Sequence, residues 1–136
     1  MKLSTRSRYG MRLMVDLAQH YNDGPTQIGD IAKRQEISVK YLEQLIIPLK
    51  RAKFVKSVRG PKGGHLLMKP PTDITAGEIV DTLEKGINLT QCVGNPDQCD
   101  RSGYCETRDI WEMATRAMCD RLNSITLSEV INNNKG

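Results

Sequence analysis

The chain has 136 residues, which is enough for one domain or one domain with a small appendage. Hydrophobic residues make up 38% and charged residues 26%, a composition that excludes a disordered chain. Because no apolar run approaches the roughly 18 residues of a spanning helix, we expect no membrane segment. The N-terminus shows no apolar stretch behind its charges, so we expect a cytoplasmic protein without a signal peptide. No nucleophile–base pair or phosphate-binding loop is apparent, and we expect no enzyme.

The net charge of +4 is divided unevenly along the chain. Residues 1–70 hold 14 Lys and Arg against 5 Asp and Glu, whereas residues 71–136 hold 6 against 11. The first half therefore suits a polyanionic partner. Charge alone does not identify that partner, because nucleic acid and an anionic membrane surface both qualify.

Three helices are predicted in the basic half. Apolar residues at helical spacing predict a first helix over roughly 5–21 and a short second helix from Ile28 to about Gln35. After a tight connection, Ser38 is a suitable N-cap for a third helix. Pro48 interrupts that helix because it cannot donate to the Gln44 carbonyl, so we expect the helix to kink or end there.

A hairpin is predicted to follow the third helix. Two short β-inclined runs, residues 54–58 and 65–68, flank the basic, glycine-rich loop 59–64. Two short helices with a tight turn, followed by such a hairpin, are typical of a winged helix-turn-helix. Each piece alone is also compatible with ordinary core packing, but the combination with the basic charge favours DNA binding.

The acidic half begins with a helix start and ends in a long helix. Thr75 and Glu78 form a predicted capping box for a fourth helix, and residues 88–104 have a loop composition. A helix of some twenty residues is predicted from about Cys105. Too few residues remain in the chain to cover the apolar side of this helix. We therefore expect a twofold homodimer, which would suit a palindromic DNA site. The alternative is that this helix folds back on its own winged domain. The predicted apolar positions are Trp111, Ala114, Met118, Leu122 and Ile125, flanked by Ile110, Met113 and Ala117.

Three of the four cysteines lie in the predicted loop. Cys92, Cys99 and Cys105 are separated by six and five residues. Clustered thiolates in a cytosolic chain favour a metal or redox site, and soft sulfur donors suit an iron–sulfur cluster or zinc. Cys119 lies well inside the predicted long helix and is interpreted as a small structural residue. His20 and His65 are interpreted as structural or solvent-facing residues.

Nearly the whole chain resembles the family of bacterial winged-helix regulators that includes the iron–sulfur regulator IscR and the nitric-oxide sensor NsrR. The resemblance implies a winged-helix homodimer that represses or activates transcription, often under the control of a bound cluster. It is carried by four segments, namely the opening MKLSTRSRY (1–9), the recognition helix ISVKYLEQL (37–45), the wing VRGPKGG (58–64) and the tail ITLSEV (125–130).

The resemblance also implies a set of cluster ligands. Three cysteines at nearly this spacing hold the cluster in the family, which assigns Cys92, Cys99 and Cys105 to an iron–sulfur cluster, of the 2Fe-2S type in preference to 4Fe-4S. IscR-like chains have a ligand histidine where this chain has Arg108, and some NsrR-like chains use an acidic residue of the partner subunit where this chain has Arg8. Arginine has no acceptor for a metal. The remaining candidates are a water or small molecule, a partner residue, or Glu106, Asp109, Asp97 or Asp100.

DNA contacts are predicted from the geometry of the motif. The N-terminal part of a recognition helix reaches base edges in the major groove, and an arginine at a wing tip suits a narrow minor groove. Basic residues elsewhere contact phosphates. The predicted base contacts are Ser38, Lys40, Tyr41, Glu43 and Gln44 in the helix and Arg59 in the wing, and the predicted phosphate contacts are Arg6, Arg8, Lys56 and Lys62.

The predicted fold class is mainly α with a small β-hairpin, a winged helix-turn-helix followed by a long dimerisation helix. Residues 1–84 form the predicted DNA-binding domain, 85–106 the cluster-binding cysteine loop, and 107–136 the dimerisation helix and tail. The predicted function is that of a sequence-specific transcriptional regulator, more specifically a repressor, controlled by a cluster that senses iron or cluster status, oxygen or nitric oxide. The alternative is a cluster-free or zinc-binding regulator of the same fold that responds to a partner protein or to thiol oxidation.

Overall fold

The computed structural model describes residues 2–87 and 106–133. Cys92, Cys99 and Cys105 lie outside the described residues, as do Asp97 and Asp100. The described elements in chain order are α1 (Thr5–Gln19), α2 (Ile28–Gln35), α3 (Val39–Arg51), β1 (Val55–Val58), β2 (Gly64–Leu67), α4 (Ala76–Glu84), α5 (Arg108–Asn123) and α6 (Leu127–Asn133), with 3-10 turns at Tyr21–Asp23 and Pro71–Asp73.

The first three helices close around one apolar core, and the predicted fold class, mainly α with a small β-hairpin in a winged helix-turn-helix, is confirmed. Leu13 and Leu17 of α1 are buried with Ile31 of α2 and Leu42 and Leu45 of α3. Burial of such side chains is the main stabilising contribution to folding, at about 2 kcal/mol for each large aliphatic group. The helix α1 ends at Gln19, slightly before the predicted limit, because a 3-10 turn begins at Tyr21.

The turn between α2 and α3 is tight. Glu36 adopts a left-handed conformation with φ 55°, and its N–H donates to the Ala32 carbonyl, which ends α2. Ile37 then enters the core, and Ser38 caps α3 as predicted. These steps form the tight connection that was predicted between the second and third helices.

Of the two outcomes expected at Pro48, a kink or the end of α3, the structure excludes the end. The helix continues through Pro48 to Arg51. Pro48 leaves the Gln44 carbonyl without its helical donor. Because Gln44 lies on the exposed side of the helix, water can satisfy that carbonyl, while Leu45 and Leu49 remain packed in the core.

The wing is an antiparallel hairpin anchored to the helical body. β1 and β2 pair from Val55–Leu67 to Val58–Gly64. Thr26, just before α2, extends this pairing through two backbone hydrogen bonds with His65, of 2.9 and 2.8 Å. Gly64 has φ 153°, and a side chain there would collide with the Thr26 carbonyl, so only glycine lets the strand approach this closely.

The last helix returns to the winged domain. Thr75 Oγ1 caps α4 by accepting from the Glu78 N–H at 3.1 Å, as the capping box predicts. The Leu127 N–H donates to the Ile74 carbonyl at 2.9 Å, and the Leu127 side chain is buried in the common core. The chain after α5 therefore packs beside α4. None of the helices in the described ranges is long and apolar enough to cross a membrane.

The long helix α5 has 16 residues, fewer than predicted, and ends at Asn123. Its C-terminal part lies against α4, where a side chain at Gly77 would collide with Asn123, and Thr115 is buried. Ile110, Trp111 and Met113 nonetheless remain exposed near its beginning. One side of α5 therefore packs against its own chain. A second side exposes apolar surface that no other described residue covers.

Candidate nucleic-acid interface and cysteine segment

The N-terminus of α3 is capped by a side chain and left open to solvent. Ser38 Oγ accepts a hydrogen bond from the Tyr41 N–H at 3.1 Å, which satisfies one of the donors that a helix start leaves unpaired. The predicted base contacts Ser38, Lys40, Glu43 and Gln44 are all exposed, and Tyr41 is half-buried. The structure thus places five predicted contacts within the first two turns of one accessible helix.

The ring of Tyr41 packs against α1. It meets the ring of Tyr9 edge to face, with centroids 5.9 Å apart, and Arg12 lies 5.3 Å from the Tyr9 centroid on the face of that ring. Arg12 also donates to the side chain and the backbone carbonyl of Gln35 at the end of α2. Tyr41 therefore helps to orient α3, a role that sequence analysis missed because the two tyrosines are far apart in the chain.

A buried carboxylate holds α2 against α1. Asp16 is 0% exposed, and it accepts hydrogen bonds from Arg34 at 3.0 and 2.8 Å and from Gln35 at 3.0 Å. Burial alone raises the pKa of Asp16, but the hydrogen bonds from Arg34 and Gln35 outweigh it and leave the pKa below its ordinary value. Sequence analysis missed this ion pair, although an Asp between Leu13 and Leu17 was a visible signal.

The wing presents its basic residues from a supported loop. Arg59 and Lys62 are exposed, and Gln27 Nε2 donates to the Pro61 carbonyl between them at 3.3 Å. On the adjoining strand, Ser57 Oγ and His65 Nδ1 are hydrogen-bonded at 2.8 Å. Hydrogen bonds therefore hold both the loop, through Gln27, and the two strands, through Ser57 and His65.

His65 shows that the wing and α3 are neighbours. Burial lowers the pKa of His65, the nearby positive charge of Lys50 lowers it further, and Glu43 opposes the change. Both charged residues belong to α3, so this helix lies within electrostatic range of the wing strand. His65 is accordingly a neutral structural residue at neutral pH, as the sequence analysis interpreted it.

The beginning of α1 is fixed by the end of α4. Glu84 Oε1 accepts hydrogen bonds from the Ser4 N–H at 3.0 Å, from Ser4 Oγ at 2.6 Å and from Ser7 Oγ at 2.5 Å. The hydrogen bonds from Ser4 and then Ser7 hold the pKa of Glu84 below its ordinary value. Arg6 and Arg8, the predicted phosphate contacts, are exposed on the turns that this carboxylate fixes.

The three predicted cluster ligands lie outside the described residues, which begin again at Glu106. Arg108 forms an ion pair with Glu112 at 3.1 Å, and an arginine has no lone pair for iron. Glu106 and Asp109 are exposed. Within 2–87 and 106–133, no group of three His, Cys, Asp or Glu side chains is placed to hold a metal ion. Assignment of the three cysteines as cluster ligands therefore stays a prediction.

Cys119 lies on the face of α5 that packs toward α4. Its side chain is half-buried, and burial raises the pKa of its thiol, with the charges of Asp81 and Asp120 acting in the same direction. A thiol with a raised pKa is a weak nucleophile and a poor ligand in its protonated form. This environment agrees with the structural interpretation of Cys119.

Comparison with known proteins places the chain among transcriptional regulators. Residues 3–133 match a family described as Rrf2, iron-dependent transcriptional regulator. The chain is 44% identical over 131 residues to "Protein rrf2" of Nitratidesulfovibrio vulgaris, covering 96% of this chain and 87% of that protein.

Two solved structures agree with the whole fold. The IscR of T. potens is similar with a TM-score of 0.81 and 37% identity, covering 98% of this chain and 88% of that one. CymR of B. subtilis, the global cysteine regulator, is similar with a TM-score of 0.82 and 35% identity, covering 98% of both chains.

The matched family and the named relatives identify this winged-helix protein as a transcriptional regulator rather than an enzyme, and they imply that it binds DNA. The chain belongs to the Rrf2 family.

Proposed function

We propose that the protein is a sequence-specific transcriptional repressor whose binding to a palindromic operator is controlled by an iron–sulfur cluster. The observation that carries the DNA-binding part is the exposed start of α3 beside the anchored, basic wing. Ser38, Lys40, Tyr41, Glu43 and Gln44 contact base edges in the major groove. Arg59 enters the minor groove, and phosphates are contacted by Arg6, Arg8, Lys56 and Lys62.

Replacing two wing residues separately is expected to distinguish base-level contact from phosphate contact. Arg59→Ala should weaken binding to the preferred duplex by about 1–3 kcal/mol, with a smaller effect on unrelated DNA. Lys62→Ala should weaken binding to all sequences similarly and lower the slope of log affinity against log salt by about one. Fluorescence anisotropy across a salt series measures both effects. Unchanged preference for the operator in Arg59→Ala would remove the wing from recognition.

The cluster part of the proposal is supported by Cys92, Cys99 and Cys105 and by the similarity to IscR. The three thiolates bind a 2Fe-2S cluster, and the fourth ligand is an oxygen donor, an exogenous molecule or a residue of the partner subunit. When bound, the cluster supplies sensitivity to iron supply, oxygen or nitric oxide. Arg108, held by Glu112, takes no part in coordination.

The metal content of protein purified without oxygen tests this assignment. Wild type is expected to be brown and to contain iron and acid-labile sulfide. Cys92→Ala, Cys99→Ala and Cys105→Ala should each lose the colour, whereas Cys119→Ala is the matched control and should keep it. A colourless wild type after careful anaerobic reconstitution would contradict the cluster, and colour in Cys99→Ala would contradict the ligand set.

Glu84 supplies a route from the cysteine segment to the DNA-contacting end of α1. Cys92, the first of the cysteines, follows Glu84 by eight residues, and Glu84 holds Ser4 and Ser7. Displacement of the Glu84 carboxylate on cluster binding or loss would loosen the turns that carry Arg6 and Arg8. The proposal therefore assigns Glu84 a positioning role in regulation.

Replacing Glu84 with Ala is expected to reduce the dependence of operator affinity on the state of the cluster. The loss of three hydrogen bonds should also lower the free energy of unfolding by about 1–3 kcal/mol. Glu78→Ala, on the same helix, is the control and should preserve the dependence. The measurement is the ratio of operator Kd between cluster-loaded and cluster-free protein, and an unchanged ratio in Glu84→Ala would exclude this route.

The proposed homodimer uses the uncovered start of α5. Ile110, Trp111 and Met113 are 54%, 41% and 67% exposed. A second copy related by a twofold axis would cover this apolar surface and would present two recognition helices to the two half-sites of a palindrome.

A cluster-free or zinc-binding regulator is the second candidate. It is favoured by Arg108, which occupies the position where IscR-like chains have a ligand histidine, and by the similarity to CymR. Metal analysis separates the two candidates. The alternative requires a colourless protein that contains zinc or no metal, and its metal content should not change on exposure to air.

A further inference from the structure

The solvent face of α3 carries one large apolar side chain at its centre. Lys40, Gln44, Ile47 and Arg51 recur at spacings of four, three and four residues, so they form one stripe along the helix. The opposite side supplies the buried Leu42, Leu45, Ile46 and Leu49. Ile47 is 56% exposed in the middle of this otherwise polar and basic stripe.

The wing does not cover Ile47. Glu43 and Lys50, on the neighbouring flank of α3, lie close enough to His65 of β2 for their charges to act on it. The stripe with Ile47 lies beside this flank and points outward from the core, where the described residues leave it open to solvent. Ile47 belongs neither to the core nor to the partly buried residues packed against it.

We propose that Ile47 contacts the C5-methyl group of a thymine and thereby makes α3 specific for thymine at one operator position. This inference rests on the proposed DNA-binding function. The thymine methyl is the apolar group that the base-pair edges present in the major groove, and aliphatic side chains recognise it by contact. Arg51 on the same stripe matches the charge of a flanking phosphate, and Lys40 adds a second positive charge, which together favour a DNA duplex over an apolar protein surface.

The spacing along the helix also fits base recognition. Ile47 lies three residues beyond Gln44, which is about 4.5 Å along the helix axis at 1.5 Å per residue. Successive base pairs are about 3.4 Å apart. Ile47 therefore reads a base pair next to the one that Gln44 reads.

Methyl deletion on the DNA tests the contact. The probe is the duplex that wild-type protein selects from a random-sequence pool, prepared again with deoxyuridine replacing thymidine one position at a time. At one position in each half-site, loss of the methyl group should weaken wild-type binding about fourfold, the effect of losing one buried methylene-sized group. Ile47→Ala should bind both duplexes equally, and Ile47→Val should retain the preference for thymine.

Two controls separate the possible failures. Gln44→Ala should bind less tightly but keep the sensitivity to uracil, and Ile47→Ala should unfold at the same temperature as wild type because its side chain is exposed. If replacing thymidine with deoxyuridine weakens the binding of Ile47→Ala and of wild type equally at every position, the inference is overturned. A change in the oligomeric state of Ile47→Ala in the absence of DNA would overturn it as well. If no duplex is selected from the pool, the proposed DNA-binding function itself fails.

Discussion

Replacing Asp16 with Ala is expected to lower the free energy of unfolding by about 2–3 kcal/mol. Removing one partner of a buried pair leaves the other uncompensated, which costs about 3–5 kcal/mol when both partners are buried. Arg34 is 39% exposed and can regain water, which reduces the cost. The melting temperature should fall by on the order of 10 °C. Thermal or urea unfolding measures this, with the exposed Asp23→Ala as control.

The contribution of Asp16 should depend on pH in a defined direction. Its folded-state pKa is below its ordinary value of 3.8, so the stabilisation is fully present above that value and is lost as pH falls through the lower folded pKa. The stability difference between wild type and Asp16→Ala should therefore be constant above about pH 5 and shrink in more acidic solution. A difference that persists unchanged at pH 2 would contradict the ionised pair.

Placing a charge on the exposed start of α5 is expected to reduce operator affinity at least about a hundredfold. Binding of a dimer to two half-sites gains about 10²–10⁴ over a single half-site, and Met113→Glu removes that gain by burying a carboxylate in the proposed interface. The variant should sediment as a monomer and still show the helical circular dichroism of wild type.

The same negative charge outside α5 provides the control for this prediction. Thr72→Glu alters an exposed residue of the Pro71–Asp73 turn and should preserve both the oligomeric state and the operator affinity. If Met113→Glu remains a dimer with wild-type affinity, another surface holds the two copies together.

Local signals in the sequence predicted most of the fold. Ser38 and Thr75 cap helices as their residue types suggest, and the glycine-rich loop joins two strands. The length of α5 was not predictable in the same way. Its apolar pattern continues to Ile125, but the backbone leaves the helix at Asn123 and pairs Thr75 with Thr126 beside α4. Tertiary pairing therefore outweighed the local periodicity.

The supporting groups of the candidate interface could not be predicted for the same reason. Asp16 meets Arg34 across 18 residues, and Glu84 meets Ser4 across 80, so no local pattern connects them. The candidate DNA contacts could be chosen from the sequence alone, because residue type and position in the motif suffice to nominate Gln44 or Arg59. Their pairing with particular bases stays a prediction, as does the ligand set in the cysteine segment.

Operator affinity with and without the cluster tests whether the cluster controls DNA binding. The Kd of anaerobic, cluster-loaded protein for its selected duplex would be measured at fixed salt, then measured again after cluster loss in air and for Cys99→Ala. We expect cluster loss and Cys99→Ala to change the Kd in the same direction and by the same factor, and Cys119→Ala to behave as wild type in both states. Equal Kd values for cluster-loaded and cluster-free protein would contradict control by a cluster.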